Sequence, residues 1–138
     1  MAEAILNTIG VWHTPIKNPK DAPRQGIEGG INGEIELDPR WARGLTGVEP
    51  GAHIWVFSFF NHAKEPELYF YPHGGESKHK TGLFNTRSPN RPAPIGMTLV
   101  KVLSINENRL EVKGVDALDG TPVLDIKPHL ARLDSPKA

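Results

Sequence analysis

Glycine and proline recur so often along this chain that long helices have little room. There are 14 Gly and 13 Pro among 138 residues, roughly a fifth of the positions against about 12% in an average protein. Gly costs backbone entropy inside a helix, and Pro removes a donor and clashes with the turn before it. Short segments remain, and where apolar periodicity can be read it favours a repeat of two over one of 3.6. From Gly30 to Leu37, Ile31, Gly33, Ile35 and Leu37 alternate with Asn32, Glu34 and Glu36, which predicts a strand with one wet face. His53 to Phe60 is β-branched and aromatic on both parities and predicts a core strand buried on both sides, with Trp55, Phe57, Phe59 and Phe60 inside. Met97–Ile105 and Arg109–Val115, joined by Asn106-Glu107-Asn108, read as a hairpin. Asp38-Pro39 ahead of Arg40-Trp41-Ala42-Arg43, with Gly44 as the stop, predicts a short helix.

Strands divided by Gly and Pro turns imply an all-β, mainly antiparallel fold, either a sandwich or a small barrel, and not alternating βαβ units. At 38% hydrophobic and 23% charged residues the chain can close one core. A single domain over 1–138 is expected, its core at about 5–133 and its tail at 134–138 free to fray. Lys plus Arg equal Asp plus Glu at 16 each, so nucleic acid would have to be bound by a local patch and not by a global field. The lack of Cys excludes disulfides, thiol catalysis and Cys-ligated metal. The opening Met1-Ala-Glu-Ala-Ile-Leu6 has no basic n-region and too short an apolar run for a signal or a membrane span, so the expectation is a cytoplasmic protein with no membrane partner.

The densest chemistry lies in Gly82 to Gly96, where Pro89, Pro92 and Pro94 stiffen a loop that carries Arg87 and Arg91. From His73 to Lys101, Lys78, Lys80, Arg87, Arg91 and Lys101 face only Glu76, a local positive region suited to phosphate or carboxylate or simply a solvated loop. Glu65 to Lys80 reads as a long exposed connection, a lid or binding loop. Asp116, Asp119 and Asp125 cluster around Asp119-Gly120-Thr121-Pro122. A turn explains that pattern, and so would carboxylates that hold hydroxyls or an ammonium or act as a base. The six His show no metal-ligand spacing, and no metal is expected. Gly-x-Gly-x-x-Gly, the P-loop and the Gly-x-Ser-x-Gly elbow are all missing, which disfavours a Rossmann cofactor site and serine hydrolysis.

Four co-linear segments resemble the tRNA methyltransferase O family, also called TsaA-like or YaeB-like. They are Pro23-Arg24-Gln25, His53-Ile54-Trp55, Thr86-Arg87-Ser88-Pro89-Asn90-Arg91-Pro92-Ala93-Pro94-Ile95-Gly96 and Asp119-Gly120-Thr121-Pro122-Val123-Leu124-Asp125-Ile126-Lys127-Pro128. The chain departs from the family pattern at Asn61-His62, Asn85 and Ala93. The resemblance implies a single non-Rossmann β-barrel with one or two short helices that binds S-adenosylmethionine, as a homodimer with the cofactor near the subunit interface. It implies methyl transfer to the exocyclic amine of threonylcarbamoyl-adenosine next to the anticodon of tRNA. By the same resemblance Pro23, Arg24, Gln25, Asn61, His62, Arg87, Met97, Asp119, Gly120, Thr121 and Pro122 would form the cofactor site. Asp119 or His62 would serve as base, and Lys78 and Arg91 would meet tRNA phosphate. The alternative is a non-catalytic barrel that binds S-adenosylmethionine or RNA.

Overall fold

The computed structural model describes residues 1–23, 25–71 and 80–136. Six strands close into an antiparallel barrel in the order β1-β2-β7-β6-β3-β8. They are β1 (Gly10–His13), β2 (Asn32–Leu37), β3 (His53–Phe59), β6 (Ile95–Asn106), β7 (Arg109–Lys113) and β8 (Pro122–Pro128). Outside the barrel, β4 (Tyr69–Phe70) pairs with β5 (Thr81–Gly82). Among the described residues there are also two four-residue helices, α1 (Gly26–Gly29) and α2 (Ala131–Asp134), and a few 3-10 turns. Closure leaves the barrel no unpaired edge. No helix among the described residues is long and apolar enough to cross a membrane.

The period of two sets the inside and the outside. Ile35 and Leu37 of β2, Ile54 and Val56 of β3, Val100 and Val102 of β6, and Leu110 and Val112 of β7 all point inward and are buried. On the outer face, Arg109 pairs with Glu34 and Glu36, and Glu36 also takes His13 Nε2 at 2.7 Å. The β6–β7 register shifts between Val102 and Ser104. The extra residue of this bulge resets the alternation, so Ile105 rather than Ser104 packs against the core. The hairpin turns at Glu107, which adopts φ 56. Trp12 is fully buried and donates Nε1 to Ser58 Oγ at 2.9 Å inside the barrel, so neither polar atom is stranded in the core.

The structure corrects the expected two-sided burial of β3. Only Ile54, Val56 and Ser58 face the core; Trp55 and Phe57 are half-buried on the outer face, and Phe59 is 39% exposed. A closed barrel has one interior, so the second parity of any strand must lie outside. Phe60, just beyond β3, is half-buried and packs against Gly96, where a Cβ would meet its ring at 2.1 Å. The helix expected after Asp38 forms as a 3-10 segment, Pro39–Leu45, with Asp38 accepting from Arg40 N at 3.1 Å. It runs past Gly44 because Leu45 buries against the core.

The start of the tail is tied down. Asp134 Oδ2 accepts from Trp55 Nε1 at 2.9 Å and from Leu130 N at 3.0 Å, so α2 is fastened to the outer face of β3. The Leu130 amide, then the Trp55 indole, hold the Asp134 carboxyl below the ordinary aspartate range. A lowered folded-state pKa keeps the tie intact above the unfolded-state value and releases it as pH falls through the folded one. We expect the Trp55 indole N–H resonance to hold its position down to about pH 4 and to move only below that. In Asp134→Ala it should be shifted already at neutral pH; an unshifted signal there would refute the tie.

Candidate functional site

At one end of the barrel three connections converge. Pro19 to Gln25 leads into α1, the turn Phe60–Lys64 follows β3, and the proline-rich loop 86–94 leads into β6. Between them lies a cleft of about 660 Å³, floored by Ile95, Gly96 and Met97 of β6 and closed by Asp116, Leu118 and Thr121 from the β7–β8 connection. Its walls are mixed. Pro23, Phe60, Met97 and Leu118 supply apolar surface, Lys64, Arg87 and Arg91 positive charge, and Asp116 negative charge.

The proline-rich loop is rigid for a reason visible in its hydrogen bonds. Prolines cannot donate, and Arg91 supplies what the backbone lacks: its Nη1 donates to Thr86 O and to Ser88 O, each at 3.0 Å. Thr86 Oγ1 donates to Leu83 O at 2.8 Å, and Lys64 N donates to Asn90 Oδ1 at 2.8 Å, which ties this loop to the turn after β3. Arg87 is thereby presented at the cleft, where its Nη1 donates to Gln25 Oε1 at 2.9 Å. Gln25 is the residue from which α1 starts.

Asp116 is half-buried. Thr98 Oγ1 donates to its Oδ1 at 2.7 Å. Burial pushes its carboxyl above the ordinary range, against the opposing pull of the Thr98 hydroxyl, the Gly26 amide and the Arg87 charge. A second, smaller cleft of about 340 Å³ lies behind it, between α1 and the outer faces of β3 and β6. Gln25, Arg87 and Asp116 line both clefts.

Several residues singled out from sequence meet here: Pro23, Gln25, His62, Arg87, Arg91, Met97 and Thr121 all line the larger cleft. Four others do not line it. Asn61 stands exposed beside His62, and Pro122 begins β8 opposite Val11. Asp119 is exposed, accepts from Lys17 Nζ at 2.7 Å and from Thr14 N at 3.0 Å, and is held below the ordinary range by the Lys17 ammonium and then the Thr14 amide. Gly120 adopts φ 84 in a turn, with open space where a Cβ would stand, and donates its N–H to Trp12 O at 2.8 Å. The Asp119-Gly120 pair thus fastens the end of β1 to the start of β8. Arg24, Lys78 and half of the expected lid, residues 72–79, lie outside the described residues.

Sequence reasoning left Asp116 undistinguished within its acid cluster and passed over Lys64 and Leu118. The signal for Asp116 was its setting, with Val115 and Ala117 on either side, both of which are buried. Phe60 had been read only as core.

Residues 11–135 match the family model described as the tRNA-methyltransferase O N-terminal domain. An S-adenosyl-L-methionine-binding protein of Archaeoglobus fulgidus is 42% identical over 130 residues, which cover 94% of this chain and 92% of that protein. A tRNA (adenine(37)-N6)-methyltransferase of Mus musculus is 42% identical over 96 residues, 67% of this chain and 22% of that enzyme. The crystal structure of TrmO from Pseudomonas aeruginosa superposes with a TM-score of 0.80 at 31% identity; the match takes in 99% of this chain and spans 60% of that one. The antiparallel barrel expected from the sequence is therefore both the observed fold and that of a solved relative.

Proposed function

Because the chain belongs to the family of the tRNA-methyltransferase O N-terminal domain, we propose that it methylates tRNA. Its methyl donor is S-adenosylmethionine, and the acceptor we infer is the exocyclic amine of threonylcarbamoyl-adenosine beside the anticodon. The observation that carries this reading is the composition of the larger cleft: a guanidinium, a half-buried carboxylate and an apolar wall face one space of about 660 Å³. A ligand with a carboxylate and a flat heteroaromatic body fits the guanidinium and the apolar wall of such a lining, and leaves the Asp116 carboxylate free to face the acceptor.

Arg87 would hold the methionine carboxylate, since a guanidinium matches it with two parallel N–H donors. Gln25, already bonded to Arg87, keeps that guanidinium aimed before the ligand arrives. Phe60, Pro23, Met97 and Leu118 would cover the adenosine and exclude water. When bound, the cofactor supplies a methyl group already activated by its sulfonium, so the chain's task is alignment and proton management. Lys64 and Arg91, at the same cleft, would face the phosphates of the tRNA. Arg91 also braces its own loop, so its removal would loosen the site as well as weaken RNA binding.

This reading includes a homodimer and a cytoplasmic setting. Phe84, 81% exposed in the turn Leu83–Asn85 ahead of the proline-rich loop, gives an apolar surface that a second copy would cover.

Calorimetric titration with S-adenosylmethionine, followed by mass spectrometry of nucleosides from tRNA incubated with the protein, tests the proposal. We expect one-to-one binding per chain and a gain of one methyl on the threonylcarbamoyl nucleoside. Binding without product would make the chain a cofactor-binding module, and no binding would overturn the reading.

A further inference from the structure

We propose that Asp116 accepts the proton that the acceptor nitrogen loses during methyl transfer, an assignment that rests on the methyltransferase reading above. The geometry singles it out. Asp116 is the carboxylate in the wall shared by the two clefts, with Gln25 and Arg87 beside it, so a base lodged on one side and a methyl donor on the other would both meet it. It is also held still. The Thr98 hydroxyl, on β6, fixes one oxygen at 2.7 Å, and the Gly26 amide of α1 favours its charged form.

The other candidates are less suited. Asp119 is committed to Lys17 and Thr14 and does not line the cleft. His62 lines the cleft from an exposed turn, without, among the described residues, a counterpart to the Thr98 hydroxyl that fixes Asp116. Among the described residues, the charged and titratable groups around Asp116 are Arg87 from the proline-rich loop, Glu28 on α1 in the smaller cleft, and His62, Lys64 and Arg91 in the larger one. Burial raises the proton affinity of Asp116 more than Thr98, Gly26 and Arg87 lower it. A carboxylate moved up in this direction is a better match for proton abstraction near neutral pH than an ordinary one.

The step balances without a co-reactant. As the new N–CH3 bond forms, the CH3–S bond breaks and its electron pair stays on sulfur, leaving a neutral thioether. The acceptor N–H pair becomes the nitrogen lone pair of the product, and Asp116 takes the proton as a neutral carboxylic acid. Once product leaves, the proton passes to water at the cleft mouth.

Asp116→Asn keeps the shape and an acceptor for Thr98 but cannot take a proton. We expect its affinity for S-adenosylmethionine to stay within about twofold of the parent. Single-turnover methylation of tRNA bearing threonylcarbamoyl-adenosine should fall about 10²- to 10⁴-fold, with loss of the acid limb of the pH–rate profile. Thr98→Val, which removes a donor that favours the charged carboxylate, should move that limb to higher pH. Independently of turnover, the Asp116 carboxyl carbon, followed by NMR in the cofactor-free protein, should titrate above the ordinary aspartate range. An Asp116→Asn protein that keeps its rate and acid limb overturns the assignment. A tenfold or greater loss of cofactor affinity also overturns it, by making Asp116 a binding contact, and so does an ordinary Asp116 titration. A parent protein that binds S-adenosylmethionine but methylates nothing would fail at the earlier reading, before Asp116 is at issue. If Asp116→Asn does not fold, as judged by circular dichroism, the Thr98→Val profile decides.

Discussion

Gly26→Ala is expected to be the most damaging single-methyl change in the molecule. A Cβ at Gly26 would stand 1.8 Å from Gly114 O and 2.8 Å from Gly114 C, with Thr98 Cγ2 at 3.1 Å. The obstacle is backbone, so no rotamer change relieves it. Gly114 in turn sits at φ 105 and donates its N–H to Ile31 O at 2.9 Å, which pins it in place. One of the two segments must therefore move, and α1, only four residues long, is the weaker. Overpacking of this kind costs about 3 kcal/mol, enough to lower Tm by roughly 10 °C in a domain of this size. The functional loss should exceed the structural one, because displacing α1 also carries Gln25 away from Arg87 and the Gly26 amide away from Asp116. Calorimetric melting and cofactor titration of the same variant check both effects. An unchanged Tm would mean that α1 is not seated on Gly114.

Arg87→Ala should cut affinity for S-adenosylmethionine by about 2 kcal/mol, roughly thirtyfold in Kd, the scale of a hydrogen bond to a charged partner. Arg87 is exposed and its recorded side-chain bond is to Gln25, so melting temperature should move little. That contrast separates it from Gly26. Arg87→Lys retains the charge but loses the planar fork, and we expect it to recover only part of the affinity. If Arg87→Ala binds the cofactor as the parent does, the carboxylate is held elsewhere and the assignment of Arg87 falls.

The fold was legible where alternation ran for at least five residues. Ile35 and Leu37, and Leu110 and Val112, declared an inside and an outside, whereas β6 carries apolar residues on both parities and a bulge, so only its place in a hairpin could be read. The first and last strands were harder to read for identifiable reasons. Gly10–His13 is only four residues long, below the length at which a period shows. Pro122–Pro128 begins and ends in proline and meets β3 across a register shift at Phe57/Ser58, so its burial follows no simple alternation. Only two residue pairs, Gly10 with Val123 and Val11 with Pro122, join β1 to β8, and a seam that narrow leaves no local trace in sequence.

Much of the cleft was legible through resemblance and not through physics. Pro23, Gln25, Arg87 and Thr121 are unremarkable in composition, and nothing in their own neighbourhoods brings them together. Asp116 shows why. Its environment is made by Thr98, 18 residues earlier, and by Gly26, which lies farther still along the chain. A sequence window sees an acid next to a turn, whereas the folded chain has a half-buried carboxylate shared by two clefts.

The narrow β1–β8 seam also bears on the order of events during synthesis. The ribosome releases the chain from its N-terminus, so β2 and β3 emerge early, and β6 can join β3 while β7 is still being made. β1 must wait for residues 122 and 123, more than a hundred positions later, before it gains the partner on its second side. Thr121, which lines the cleft, arrives at the same moment. A nascent chain is thus an open, edge-exposed sheet with no finished binding site until β8 has emerged, and barrel closure and ligand competence are acquired together in one step.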